Sequence, residues 1–389
     1  MQIENIILYS KRLPPEHIGG IETNAFYLIR FLLEQERFKV FVVSQGNAGF
    51  FKKHREMAFG DNKLDVYMVT KKQTKKLKTM QSAFGSSDFD PSRTLIYHNT
   101  LDLHPHYERF KKQGYRQVAR SGGNDIFFHA RNNKTERAAF LKHLNSLDRL
   151  ILNSEYSLRR SVDCGLSEQK LAVIKGGCER GSVSENATPA IPETENLFSI
   201  ICCGRLVDFK GLEDAIDAMK IVRDNGHEFR FYMVGDGPLE QSLQKRIEDY
   251  GLGDYCLFLG KQPPETIPGF YLASDIYLSS SKDIHKQGDG YTYVHTETMG
   301  RSICEAQVHG LPVVSTDAGG APEMLWHEET GFVVPQGDAE AMASAIIKLI
   351  SDADLMATFS ENAAKYASNA FGWSKVIANT IQIVDSLAD

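Results

Sequence analysis

Short apolar runs alternate with segments of helical periodicity along the chain. The run Ile3–Tyr9 predicts a strand, and apolar residues at helical spacing predict a helix over Ile21–Gln35. Runs of the same kind predict five further strands in this half, at Phe38–Ser44, Leu64–Val69, Thr94–His98, Gln117–Ala119 and Arg149–Asn153. Strands that alternate with helices are typical of a parallel sheet covered by helices on both faces.

The second half of the chain repeats this alternation. The pattern predicts helices over Leu212–Asp224, Pro238–Tyr250 and Trp373–Leu387. It predicts strands at Phe198–Cys203, Phe229–Val234, Cys256–Leu259, Ile276–Leu278, Pro312–Ser315 and Phe332–Val334. The fold class predicted is α/β, with two Rossmann-like parallel-sheet domains that face each other across a cleft. Ligands of such sheets bind at the carboxyl ends of the strands, so functional residues are expected in the loops that follow strands.

The length of 389 residues suits two domains. The stretch Glu185–Glu195 has two prolines and no apolar periodicity, which indicates a linker. We therefore expect an N-terminal domain over 1–184, a linker over 185–196 and a C-terminal domain over 197–371. Residues 372–389 are expected to form a helix that returns to the N-terminal domain.

Composition narrows the class of protein. No apolar run reaches the roughly 18–20 residues that a membrane span needs, and the N-terminus lacks the pattern of a secretory signal. The six cysteines show no Cys-x-x-Cys spacing, which favours free thiols in the cytoplasm and argues against a zinc site.

Charge is divided unevenly along the chain. Residues 1–190 have 30 Lys and Arg against 20 Asp and Glu, whereas residues 191–389 have 14 against 30. A basic cluster without interleaved aromatic residues argues against nucleic-acid binding. The cluster consists of Lys71, Lys72, Lys75, Lys76 and Lys78. It forms either a solvated face or a peripheral contact with an anionic membrane or acceptor.

Two motifs of the second half follow predicted strands. The loop Gly204–Gly211 places Arg205 and Lys210 close together, and guanidinium and ammonium groups are the partners that a diphosphate needs. Solvated surface cations are the alternative.

In the segment Tyr293–Gln307, Glu297 and Glu305 are separated by seven residues. A helix is predicted to begin near Ser302, with free amides over Arg301–Ile303 that suit an anion. As an alternative, Ser302 and Glu305 form a capping box that serves only the helix start.

Other short motifs are weaker. Gly19 and Gly20 open the first helix and allow a ligand to approach the backbone closely. Two Asp-x-Asp pairs, Asp88 with Asp90 and Asp352 with Asp354, are interpreted as structural. We therefore predict no metal site.

The order of motifs resembles retaining glycosyltransferase family 4, the "group 1" nucleotide-sugar transferases with the GT-B fold. The motifs are, in order, GGIE, GRLVDFKGLEDAI, VGDGPLE, E-x7-E, HGLPVVSTDAGGAPEM and GFVVPQGD. The resemblance covers nearly all of residues 197–371 and is weaker over 1–185. It implies a hexosyltransferase that uses a nucleotide-sugar and no cofactor. It also implies that the domain over 1–184 binds the acceptor and that the domain over 197–371 binds the nucleotide-sugar.

The resemblance also implies roles for single residues. Glu297 would face the donor sugar as a catalytic carboxylate, and Glu305 would accept hydrogen bonds from the ribose hydroxyls. The remaining donor-binding residues by resemblance are Gly19, Gly20, Arg205, Lys210, Lys261, Gly300, Arg301, Ser302 and Ile303.

The chain departs from the family pattern at two places. Family members commonly have a His after an early strand, where this chain has Ser121–Asp125. We expect another polar residue to take that role. Asp125 is the catalytic candidate, and Asn124 and His98 are the alternatives. The long polar and aromatic segment Lys282–Thr296 forms either an acceptor wall or a surface insertion.

The acceptor is the least determined part of the hypothesis. By whole-chain resemblance, the best candidate is transfer of N-acetylglucosamine from UDP-N-acetylglucosamine to 2-deoxystreptamine, a small acceptor, in aminoglycoside antibiotic biosynthesis. The alternatives are a membrane-peripheral transferase for a lipid or polysaccharide precursor, and a non-catalytic protein that binds nucleotide-sugar or carbohydrate.

Overall fold

The computed structural model describes residues 3–14, 20–45, 54–69, 89–128, 134–181, 197–288 and 291–387. The chain divides into two compact units. Unit 1 consists of Met1–Gly177, Gln287–Tyr293 and Trp373–Asp389, and unit 2 consists of Cys178–Lys286 and Val294–Gly372.

The first crossing between units lies at Cys178, which is earlier in the chain than the expected boundary after residue 184. Cys178 pairs with Gly372 in an isolated bridge and is buried in the core of unit 2. The predicted linker, residues 185–196, lies outside the described residues.

Unit 1 contains an eight-stranded sheet in the order β3-β4-β2-β1-β5-β6-β7-β8. Its neighbours are parallel except for the antiparallel pair β3 and β4. The strands are β1 (Asn5–Ser10), β2 (Lys39–Gln45), β3 (His54–Phe59), β4 (Asn62–Val69), β5 (Thr94–His98), β6 (Arg116–Arg120), β7 (Arg149–Leu152) and β8 (Leu171–Val173).

Helices cover both faces of this sheet. They are α1 (Gly20–Glu34), α2 (Tyr107–Lys112), α3 (Asn124–Phe128), α4 (Lys134–Leu144), α5 (Glu155–Asp163) and the C-terminal α12 (Trp373–Asp385). Trp373 stacks on Tyr27 of α1 with ring centroids 4.4 Å apart. The apolar face of α12 is thereby buried in the core of unit 1, as Val376, Ile377 and Val384 show.

Unit 2 contains a six-stranded parallel sheet in the order β11-β10-β9-β12-β15-β16. Its strands are β9 (Phe198–Cys203), β10 (Phe229–Val234), β11 (Cys256–Gly260), β12 (Ile276–Ser279), β15 (Val313–Thr316) and β16 (Gly331–Val334). A separate hairpin of β13 (Ile284–Gly288) and β14 (Tyr291–His295) follows β12.

The helices of unit 2 are α6 (Leu212–Asp224), α7 (Glu240–Asp249), α8 (Ile267–Leu272), α9 (Arg301–Val308), α10 (Ala339–Ser351) and α11 (Ala353–Phe371). The central strands β9 and β10 are mostly apolar and buried because helices cover both faces of the sheet. Among the described residues, no helix is long and apolar enough to cross a membrane.

The strand order of unit 2 reverses between β9 and β12. Chain connections leave the sheet in opposite directions at such a switch point, which opens a crevice beyond the carboxyl ends of the two strands. The loops that follow β9 and β12 are therefore the first place to look for a site.

Candidate functional site

Two glycines allow the loop after β9 to lie directly against its neighbours. A Cβ at Gly235, after β10, would lie 1.8 Å from the carbonyl oxygen of Gly204. A Cβ at Gly211, whose φ is +59°, would lie 1.9 Å from the carbonyl oxygen of Ser280 after β12. These contacts leave no space for a side chain, so glycine fixes the loop Gly204–Gly211 beside the switch point.

The loop presents Lys210 to Glu297. Lys210 Nζ lies 2.5 Å from Glu297 Oε2, and the side chains are only 21 % and 16 % exposed. The other carboxylate oxygen accepts a hydrogen bond of 3.0 Å from the amide of Gly300. Burial alone would raise the pKa of Glu297, but the Lys210 charge and the hydrogen bonds from Lys210 and from backbone amides bring it below its usual value. Glu297 is therefore ionised at neutral pH.

A pocket of about 310 Å³, open to solvent, lies between the ends of β9 and β12. Arg205 and Lys210 both line it, together with Cys202, Cys203, Gly204, Leu206, Leu212, Tyr277, Leu278, Ser279, Ser280 and Ser281. The Arg205 side chain is exposed. Two cations at one pocket suit a ligand with two negative charges, such as a diphosphate.

Helix α9 begins at this site, at Arg301, one residue before Ser302 and so near the predicted start. Its N-cap residue, Gly300, has φ of +83° and makes no side-chain cap hydrogen bond. The capping-box alternative for Ser302 and Glu305 is wrong, because Glu305 lies 2.7 Å from Arg301 Nε in an ion pair and not at the cap. The helix start thus has no side-chain cap, and the amide of Ile303 donates to the carbonyl oxygen of Gly300. The amides of Arg301 and Ser302 come before it, at the end of a helix that suits an anion.

Two further donor-site candidates of unit 2 differ in burial. Ile303 is buried under the helix start, where its side chain packs close to Gly300. Lys261 is exposed in the loop after β11, next to Gly260 with φ of +65°.

The loop and the hairpin are joined by contacts that sequence analysis did not identify. Lys286 Nζ of β13 lies 2.7 Å from Asp208 Oδ2, and the ring of His295 lies 4.2 Å from that of Phe209. The hydrogen bond from Lys286 lowers the pKa of Asp208. Asp208 lies inside a recognised motif, but nothing in the sequence pairs it with Lys286.

The predicted site residues of unit 1 differ in exposure and in their hydrogen bonds. Gly20 is the exposed first residue of α1, whereas Gly19 and the basic cluster Lys71–Lys78 lie outside the described residues. Asp125 accepts hydrogen bonds from Ser121 Oγ and from the amides of Gly122 and Ile126, so its carboxylate fixes the loop before α3. Asn124, the first residue of α3, is half-buried.

His98 is fully buried at the end of β5, with its Nε2 3.3 Å from Gln117 Oε1. Burial lowers its pKa to about 3, so the imidazole is neutral. This setting gives His98 a place in the core.

The Asp-x-Asp pairs have structural partners where they are described. Asp352 caps α11 by accepting a hydrogen bond from the amide of Leu355, and Asp90 caps a short turn in the same way through Ser92. Asp88 lies outside the described residues. Within the described ranges, no group of three His, Cys, Asp or Glu side chains could hold a metal ion.

Comparison with known proteins finds a family match over this part of the chain. Residues 184–366, just under half of the chain, match the family "Glycosyl transferases group 1". The matched segment includes the Lys210 and Glu297 pair, the start of α9 and the pocket between β9 and β12.

Curated glycosyltransferases match about half of this chain. The chain is 29 % identical over 215 residues to the amylovoran biosynthesis glycosyltransferase AmsK of Erwinia amylovora, which covers 54 % of this chain and 50 % of that protein. It is 32 % identical over 184 residues to the putative colanic acid biosynthesis glycosyltransferase WcaL of Escherichia coli, which covers 47 % and 42 %. The chain thus spans about half the length of the curated relatives it matches.

A solved structure extends the likeness beyond the matched segment. The crystal structure of Anabaena Alr3699/HepE in complex with UDP matches with a TM-score of 0.71 and 21 % identity, and the match covers 99 % of this chain and 100 % of that one. At this identity the likeness shows the fold alone. The expected GT-B class, with two Rossmann-like parallel sheets, is confirmed.

Proposed function

We propose that this chain is a retaining glycosyltransferase that transfers a sugar from a UDP-sugar to an acceptor hydroxyl, with UDP-N-acetylglucosamine as the best donor candidate. The observation on which the proposal rests is the half-buried pair of Lys210 and Glu297 at the switch point, beside Arg205 and the start of α9, which has no side-chain cap. The group 1 match over 184–366 supports it, as does a structural neighbour described as a complex with UDP.

Each part of the site has a task in this reaction. Arg205, Lys210 and the first amides of α9 bind the diphosphate and stabilise the negative charge that it gains on leaving. The ionised Glu297 faces the positive charge that develops on the sugar ring. Because protein cations serve the diphosphate, we propose that the reaction needs no metal or other cofactor.

Other residues are proposed to complete the donor and acceptor sites. Glu305 accepts the ribose hydroxyls, and Lys261 lies beside the base. In unit 1, Gly19 and Gly20 approach the diphosphate, and Asp125 or Asn124 takes the polar role beside the sugar. These assignments come from the resemblance. A cytoplasmic location is proposed separately, from the free cysteines.

Two acceptor classes are proposed. The first is a small aminocyclitol such as 2-deoxystreptamine. The second is a polysaccharide or lipid precursor, which the names of the amylovoran and colanic acid relatives favour. A membrane-bound precursor would give the basic cluster Lys71–Lys78 a task, as a contact with an anionic surface.

A screen of donors against acceptors tests the proposal. The purified full chain is incubated with UDP-N-acetylglucosamine, UDP-glucose or GDP-mannose and with aminocyclitols or lipid-linked sugars, with and without EDTA. Mass spectrometry detects the product, and NMR assigns its anomeric configuration. An α-linked product from a UDP-sugar in the presence of EDTA is expected.

The other outcomes are equally informative. A β-linked product would overturn the retaining mechanism, and activity that EDTA abolishes would overturn metal independence. UDP-sugar that binds but is neither transferred nor hydrolysed with any acceptor would favour the non-catalytic alternative. Lys220→Met, an exposed change on α6 away from the pocket, serves as the matched control for Lys210→Met.

A further inference from the structure

Arg301 occupies a position in α9 where a cation destabilises a helix. It is the first residue after the N-cap Gly300, at the end where the helix dipole is positive. Its partner Glu305 lies four residues further on, and this order of cation before anion is the weaker one for a helical ion pair. Helix stability therefore does not explain why Arg301 is there.

The contacts of Glu305 suggest another task. Arg301 Nε lies 2.7 Å from Glu305 Oε1, and both side chains are less than a third exposed, at 28 % and 29 %. The Nε–H bond does not point along this line, so the contact is ionic more than a directed hydrogen bond. On the other side, the hydroxyl of the fully buried Tyr271 lies 3.4 Å from Glu305 Oε2.

The backbone of Glu305 is held as well. Its carbonyl oxygen lies 2.7 Å from Nδ1 of the buried His309, and the amide of Gly181 donates to Nε2 of the same ring at 3.2 Å. Nε2 is thus an acceptor and Nδ1 a donor, which is the neutral imidazole. Burial, which lowers the pKa of His309, agrees with this state.

The arrangement leaves at least one acceptor position on each oxygen of Glu305. A carboxylate has about four acceptor positions, two on each oxygen. The ionic contact with Arg301 lies beside Oε1 and fills no directed position, and Tyr271 faces one position on Oε2, so at least one remains on each oxygen. Two acceptors side by side match the two hydroxyl donors of a ribose.

We propose that Arg301, aided by Tyr271, is a positioning residue that presents Glu305 to the ribose diol and makes the site selective for ribonucleotides over 2′-deoxyribonucleotides. This inference rests on the proposed function, because it assumes that Glu305 faces the donor ribose. It adds the residues that orient this carboxylate and the discrimination that follows from the orientation.

Titration calorimetry with UDP and with 2′-deoxy-UDP tests the proposal on the full chain, and GDP with 2′-deoxy-GDP is run in parallel. The nucleotide whose ribose form binds more tightly, UDP or GDP, is then used to compare the affinities of the ribose and 2′-deoxy forms. Wild type should prefer the ribose form about 10-fold or more, because a hydrogen bond to a charged group is lost in the deoxy form. In Arg301→Met this preference should fall to a third or less of the wild-type value.

Related variants separate orientation from phosphate binding and from folding. Arg301→Lys keeps the charge and should recover part of the preference, and Tyr271→Phe should lower it less than Arg301→Met does. Lys220→Met removes the exposed i,i+4 pair with Asp224 on α6 and should leave the preference unchanged. Should Arg301→Met fail to fold, Arg301→Lys and Tyr271→Phe still measure the effect.

Two results would overturn the inference. The first is an unchanged preference in Arg301→Met with both nucleotides weakened equally, since Arg301 would then act on the phosphates. The second is a wild-type protein that binds both sugar forms equally, since Glu305 would then not contact the ribose. Neither result concerns sugar transfer, which the donor and acceptor screen tests separately.

Discussion

Lys210 Nζ lies 2.5 Å from Glu297 Oε2, although 87 residues separate them in the chain. Lys210 belongs to the loop after β9, and Glu297 follows the hairpin that extends from β12. The two strands are neighbours at the switch point, which is why the loops meet. Each charge offsets the other in a half-buried setting, so the site holds a cation and an anion in fixed positions before any donor binds.

The first prediction concerns the cations of the pocket. Arg205→Met and Lys210→Met should each lower kcat by about 10²-fold, because in the proposed function they remove charge that stabilises the departing diphosphate. Steady-state kinetics with the best donor and acceptor measures the change, and circular dichroism checks folding. Lys220→Met should stay near wild type. Near-wild-type turnover in both pocket variants would contradict the assignment.

The second prediction is a pH dependence of stability. The folded-state pKa of Glu297 lies below its usual value of 4.5, so the ionised carboxylate contributes stability above that pH. This contribution is lost as the pH falls below 4.5 through the folded-state pKa. The difference in free energy of unfolding between wild type and Glu297→Gln should therefore shrink on acidification, as urea titrations from pH 7 to pH 3 would measure.

A Lys210→Met background provides the control for this dependence. Without the Lys210 charge, burial raises the pKa of Glu297 with less opposition. The acid-dependent difference should then become smaller or change sign. A difference that is the same in both backgrounds would show that the two residues are not coupled.

The third prediction compares two glycines with the same backbone conformation. Gly211 and Gly226 both have positive φ, at +59° and +84°, but a Cβ at Gly211 would lie 1.9 Å from a backbone oxygen whereas Gly226 has no atom within 4 Å. Gly226→Ala should cost about 1–2 kcal/mol from backbone strain. Gly211→Ala should cost more than about 4 kcal/mol or prevent folding. Equal losses in urea unfolding would contradict close packing of the loop.

Most of the fold is predictable from the sequence because the strands are buried on both faces. Apolar runs such as Phe231–Val234 indicate a parallel strand that is buried on both faces. The strands that the pattern missed do not have both faces buried in a main sheet. β3, read along His54–Phe59, is polar at the edge of its sheet, and the hairpin strands Ile284–Gly288 and Tyr291–His295 lie outside either main sheet. Such strands lack the burial that produces an apolar run.

The candidate site is predictable to a smaller extent. Loop positions after strands, residue charge and resemblance led to Arg205, Lys210, Glu297 and Glu305, and the structure brings Lys210 and Glu297 together. Pairs formed across loops, such as Asp208 with Lys286, depend on which strands are neighbours. Strand order follows from packing of the whole sheet, and local sequence does not encode it.

The fourth prediction concerns that pair. Asp208 and Lys286 are 44 % and 36 % exposed, so their ion pair should add only about 0.2–1 kcal/mol to stability. It joins the hairpin to the loop that holds Lys210, so Asp208→Asn and Lys286→Met should each lower kcat/KM several-fold. The double variant should be no worse than the worse single variant, because both remove one contact. Additive losses would mean that each residue acts alone.

The fifth prediction separates the two glutamates by kinetics. Glu305→Gln should mainly raise the donor KM, about 10-fold, since a neutral amide replaces the charged acceptor of the ribose hydroxyls in ground state and transition state alike. Glu297→Gln should mainly lower kcat, since positive charge on the sugar ring grows only as the bond to the diphosphate breaks.

The effects of the two substitutions can be measured separately, because each glutamate has a different ion-pair partner. Glu305 is paired with Arg301 on α9, whereas Glu297 is paired with Lys210 ahead of the helix. A loss at one should therefore leave the contacts of the other in place. Initial rates over a matrix of donor and acceptor concentrations give both constants for each variant. If Glu305→Gln lowers kcat with an unaltered KM, or Glu297→Gln raises KM alone, the two roles are exchanged and the diphosphate must lie in the opposite orientation along α9.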